Sequence, residues 1–149
     1  MVSGTPFVKR HHLNLGADYA LRLIRIFTDV FDGDVSLALV FIAAAQMGTR
    51  HLRDDGDYFD KLEGEFFPDH LRQPVTVSAL ARSLGLPVET TRRHVVRLAS
   101  TGYALRTEQG GVIVTSDALR REEIRKAGLA NLDAIQVLAD GLQRAPRGR

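Results

Sequence analysis

Apolar residues recur every third or fourth position over three stretches of the chain and every second position over one. From about Ala17 to Phe31 the positions Ala20, Leu21, Ile24, Phe27, Val30 and Phe31 follow helical spacing, with Arg22, Arg25 and Asp29 elsewhere on the surface. Asp32-Gly33-Asp34 is a break, in which Gly33 closes one helix and Asp34 caps the next. The helix predicted from Val35 to about His51 is apolar nearly all round until Gln46. Leu37, Val40, Phe41, Ala44 and Met47 face one neighbour, and Leu39, Ile42 and Ala43 face another. Such a helix is buried on several sides. In so short a chain, the expectation is that a core and a second subunit cover it together, with Leu37 and Phe41 at a dimer interface. Residues 1–16, with Lys9-Arg10-His11-His12, show no clear period and read as an N-terminal arm.

Residues 52–74 are the least periodic part, with a turn at Asp54-Asp55-Gly56-Asp57 and a short helix expected from Tyr58 to Phe67. The acids around Gly56 lack the alternate spacing and the Glu at the twelfth position that a calcium loop requires. A solvated acidic connector is the better reading.

Residues 75–116 are the most specific. Val75-Thr76-Val77 is β-prone; Ser78 stands at a cap position, and Leu80, Ala81 and Leu84 share one helical face. Gly85 and Leu86-Pro87 make a tight turn, for which Ala81 and Gly85 supply the close approach and the left-handed backbone. A second helix follows from Val88 to Thr101. Val88, Thr91, Val95 and Leu98 face inward, and Glu89, Thr90, Arg92, Arg93, Val96 and Arg97 face outward. After Gly102 the period changes to two. Tyr103–Thr107 and Val112–Thr115 read as strands joined by Glu108-Gln109-Gly110-Gly111. Strand, helix, turn, helix and hairpin in this order make a winged helix-turn-helix, and the fold class expected is mainly α, with flanking N- and C-terminal helices. From Asp117 to Leu142 runs a third helical pattern, capped by Ser116 or Asp117, with Ile124, Ala127, Leu132, Ile135, Leu138 and Leu142 as its stripe. With residues 17–51 it is expected to form a helical dimer interface that includes Ile135 and Leu138. Residues 143–149 read as a basic disordered tail.

Composition changes this picture mainly by exclusion. The chain of 149 residues has no Cys, which removes disulfide scaffolds, thiol redox chemistry and Cys-ligated metal. The apolar run Val35–Ala45 is too short for a membrane span, and the N-terminus carries no secretory pattern, so a cytoplasmic protein without membrane partners is expected. His11, His12, His51, His70 and His94 show no zinc-ligand spacing, and no catalytic constellation assembles. Neither a cofactor nor an enzyme activity is expected. Charge is uneven. Residues 49–71 hold seven acids against three bases, whereas residues 75–116 hold five arginines against two acids. The second segment suits a polyanion.

The run from Val77 to Leu98, continued by Ala99-Ser100-Thr101-Gly102-Tyr103 and the Gly110-Gly111 wing, resembles the winged helix-turn-helix regulators of bacteria, with MarR, IclR and GntR families as examples. The resemblance covers 42 of the 149 residues. Thr91 and His94 depart from it, standing where those families usually carry apolar residues. Helices on both sides of a central reader are similar to the MarR-type arrangement. The resemblance implies a homodimer that binds double-stranded DNA with helix 88–101 in the major groove. Glu89, Thr90, Arg92 and Arg93 are then the base contacts, and Ser78, Arg82 and Arg97 the phosphate contacts. Arg106 and Gln109 reach out from the wing, residues 103–115, to backbone or minor groove. Any small-molecule effector is left unidentified. The alternative function is a winged-helix module for protein interaction or assembly that does not bind DNA.

Overall fold

A computed structural model describes residues 6–54 and 56–144. It is mainly helical, with a small three-stranded antiparallel sheet. Helix α1 spans Pro6–Val30, so residues 6–16 are not an arm. The period hidden in that stretch belongs to a long-range contact: α1 packs along the last helix, where the His11 ring meets the Gly141 carbonyl at 3.0 Å and Tyr19 donates to Asn131 at 2.9 Å. The Phe31–Asp34 turn takes positive φ at Asp32 (54°) and Gly33 (86°). Asp34 then caps α2 (Val35–Met47) by accepting from the Leu37 amide at 3.0 Å.

Helix α2 is the centre of the core. Leu37, Ala38, Val40, Phe41 and Ala44 are all buried within one chain, among α1, α4, α5 and the sheet. Leu37 and Phe41, each 2% exposed, are therefore core residues and not interface residues. A sequence shows that such a helix needs cover on several sides but not which elements of its own chain provide it. The predicted extension to His51 is interrupted at Gly48-Thr49, and Arg50–Arg53 forms a separate short helix, α3.

The connector has less helix than its apolar spacing suggests. Tyr58–Lys61 and Asp69–Leu71 are single 3-10 turns, and the positive φ of Gly64 (68°) folds Glu63 back onto Phe66. Nor is it wholly solvated. Arg72 is buried, donates to the Phe67 carbonyl at 3.0 Å and lies 3.4 Å from Asp69, which accepts from the Ser116 amide at 2.7 Å. Burial pulls the Arg72 pKa down, Asp69 opposes that shift, and the nearby Arg120 charge adds to it.

Strand β1 (Val75–Thr76) leads into α4 (Val77–Leu84). Thr76, not Ser78, is the cap, accepting from the Ala79 amide at 3.1 Å; Ser78 lies within the first turn of the helix with its side chain exposed. Gly85 ends α4 at φ 67°. Helix α5 (Val88–Ser100) crosses back over α2 and α4. Strands β2 (Leu105–Arg106) and β3 (Gly111–Ile113) form a hairpin, and β3 also pairs with β1, giving the order β1-β3-β2 with Val75 opposite Val112 and Leu105 opposite Ile113. The C-terminal pattern divides into α6 (Ser116–Leu119) and α7 (Glu122–Gln143). Thr115 caps α6 by accepting from the Ala118 amide, in place of the expected Ser116 or Asp117.

The core joins three rings. Phe31, Phe41 and Tyr103 meet with centroids 4.9–5.9 Å apart, and Arg121 covers the outer face of Tyr103 at 4.0 Å. Burial and the hydrogen bond to Glu123 raise the Tyr103 pKa. Bonds from its own backbone and from Tyr103 hold the Glu123 carboxyl below the usual range, with Arg121 adding a 2.7 Å ion pair. Arg121 also donates to the Thr101 carbonyl at 2.7 Å, so the end of α5 is tied to the start of α7.

Candidate nucleic-acid interface

The candidate site starts from the division of α5 into two faces. Thr91, Val95 and Leu98 are 0–2% exposed and pack into the core. Thr91 belongs there because its hydroxyl donates to the Pro87 carbonyl at 3.0 Å, which satisfies a polar group in an apolar setting. Opposite them, at steps of three and four, Glu89, Arg92, Arg93 and Val96 are exposed on one stripe. Thr90 is half-buried and lies on the flank of that stripe, away from its centre. Val88 does not face inward as its spacing predicts; it sits at the helix start, 42% exposed, where no element covers it.

The arginines of this stripe differ in what they hold. Arg92 pairs with Glu89 at 3.3 Å along the helix, which keeps both side chains extended over one turn. Among the described residues Arg93 has no ion pair or hydrogen-bond partner, so its guanidinium is available outward. Arg97 turns aside and meets Asp34 at 3.3 Å, linking α5 to the cap of α2. It keeps further N–H donors for a phosphate. Its carbonyl accepts from the Ser100 and Thr101 hydroxyls.

The neighbouring elements extend the surface. Ser78 and Arg82 are exposed, one turn apart on α4, and the Arg82 side chain has no partner among the described residues. Arg106 is exposed on β2, which packs beside α5, and Gln109 is exposed in the hairpin turn, where Gly110 takes φ 86°. The hairpin closes through Thr107, whose amide and hydroxyl both meet the Gly111 carbonyl. Sequence reasoning overlooks Leu105, 61% exposed at the root of the hairpin; with Val88 and Val96 it adds exposed apolar surface near the arginines. Leu105 follows the buried Ala104 directly, but Arg106 beside it is exposed as well, so no alternation in the sequence marks it.

Among the described residues no group of three or more histidines and carboxylates is placed to hold a metal ion, and no helix is long and apolar enough to cross a membrane. Comparisons with protein-family models, with curated proteins and with solved structures find no match for this chain.

Proposed function

We propose that the chain is a sequence-specific DNA-binding transcriptional regulator, that residues 75–116 form a winged helix-turn-helix, and that α5 enters the major groove. The observation that carries this reading is the outward stripe of α5, on which Arg92 and Arg93 stand exposed while the opposite face is locked into the core. A helix so anchored delivers guanidinium groups to guanine edges, where bidentate contacts discriminate between bases. Ser78 and Arg82 flank it for phosphates, with Arg97 reaching the backbone through its remaining donors. Arg106 and Gln109 carry the contact to the neighbouring groove or backbone.

The test uses a duplex enriched from a random library, compared with unselected duplex across a salt series. Arg93→Ala is expected to cost about 1–3 kcal/mol on the selected duplex and to relax preference at one position. Arg97→Ala is expected to weaken all duplexes alike and to flatten the salt dependence. Binding that ignores salt and both substitutions would overturn the reading. One observation favours a second function. The exposed Val88, Val96 and Leu105 give the same face an apolar component suited to a protein partner, so a protein-interaction module that does not bind DNA is the alternative.

A further inference from the structure

Helix α5 carries three exposed arginines, and the fold treats their charges differently. Arg93 has no partner among the described residues. Arg92 meets Glu89, three residues earlier on the same helix, so that pair is set by local sequence. Arg97 alone is met by a carboxylate from another element. Asp34, 63 residues earlier in the chain, stands at the start of α2, and its two oxygens have separate partners. Oδ1 accepts from the Leu37 amide at 3.0 Å and caps the helix. Oδ2 faces Arg97 Nη1 at 3.3 Å. Capping does not require a charge, since Asn or Ser closes a helix start about as well as Asp. The negative charge of Asp34 therefore acts on Arg97. The turn before it brings it there: Asp32 at φ 54° and Gly33 at φ 86° reverse the chain after Phe31. Both side chains of the pair reach water, with 48% of Arg97 and 32% of Asp34 exposed, so a ligand has access to them. Nε and Nη2 of Arg97 have no partner among the described residues.

We propose that Asp34 is a counter-charge that restrains the phosphate-directed, sequence-independent part of nucleic-acid binding by α5. The proposal rests on the DNA-binding reading above and adds to it a residue outside the reader. A phosphate seated on the free N–H groups of Arg97 lies roughly 6–7 Å from the Asp34 carboxylate. Like charges at that distance repel through water by enough to lower affinity about three- to tenfold at low salt. Before a duplex arrives, the same carboxylate offsets the Arg97 charge and weakens its long-range pull. Arg92 and Arg93 lie outside the pair, so the restraint acts on all duplexes alike and leaves base preference to the stripe. A surface pair of this kind adds little to stability, so removing its charge is read in binding and not in folding.

The test measures fluorescence anisotropy on the selected and unselected duplexes over a salt series, with thermal melting of each variant alongside. Asp34→Asn keeps the cap and removes the charge, so it should melt with the native chain, while Asp34→Ala melts earlier. At about 50 mM salt, Asp34→Asn should tighten both duplexes by the same factor, about three- to tenfold, and steepen the salt dependence. Asp32→Asn supplies the control. It makes the same change in net charge within the same turn, and Asp32 has no ion pair among the described residues. It should tighten binding less than about twofold. Combined with Arg97→Ala, Asp34→Asn should gain no more than Asp32→Asn does. A native chain that binds no duplex in a salt-dependent way overturns the DNA-binding reading and this proposal together. A native chain that binds, while Asp34→Asn binds equally, more weakly or only as well as Asp32→Asn, overturns this proposal alone. So does a gain that persists undiminished beside Arg97→Ala.

Discussion

At the scale of single residues, placement depends on whether each polar atom finds an acceptor or donor nearby. Thr91 is tolerated at an otherwise apolar position because the Pro87 carbonyl lies one turn back. Tyr103 needs a longer connection, since its ring is held by Phe31 and Phe41 while its hydroxyl donates to Glu123 at 2.7 Å. That bond gives the fold an acid-sensitive point. The Glu123 carboxyl titrates below its usual range when folded, so its contribution is present above the unfolded value and is lost as pH falls through the folded one. Melting temperatures of the native chain and Glu123→Gln should differ most near neutral pH and converge below about pH 4.3. A gap that stays constant into acid would remove Glu123 from this role. Three- and four-residue spacing is enough to turn Thr91, Val95 and Leu98 inward. It is silent on Arg72 and Tyr103, whose hydrogen bonds join segments that no local period relates.

Elements are legible in proportion to how locally they are determined. The turn from α4 to α5 is written in Ala81, Gly85 and Pro87, and the change of period after Gly102 marks the hairpin. Strand β1 shows only as a β-prone run, because its pairing with β3 spans the whole of α4 and α5. The apolar pattern shortens helix α1 for the same reason, since its first turns are held by α7 more than a hundred residues later. The hairpin root makes a checkable point. A Cβ on Gly111 would lie 2.6 Å from the rigid Pro74 ring and 3.2 Å from the Thr107 hydroxyl that closes the turn. Gly111→Ala should therefore destabilise by about 1–3 kcal/mol in urea titration. A neutral result would mean that the strand at Val75 is free to move away from the hairpin.

For the whole molecule, the outward arginines of α5 set what the proposed reader would address. If the chain pairs about a two-fold axis, as the resemblance implies, the dimer would carry two copies of α5 related by that axis. Half-sites in the selected duplex should then be inverted repeats separated by about 10 bp or a multiple. Sequencing of the enriched library would show this, and a single unrepeated motif would count against the paired reader. The arginine face can be read in the sequence because one helix carries it; the α1–α7 packing cannot, because it needs the register between two distant helices. The clamping of β3 between β1 and β2 has a practical consequence as well. Everything below Thr107 is held by backbone pairing, while Gln109 projects from the turn into solvent. The chain contains no cysteine, so Gln109→Cys would give one attachment point for an environment-sensitive dye. A fluorophore there would test the proposed approach of a nucleic acid in real time, without altering any residue of α5.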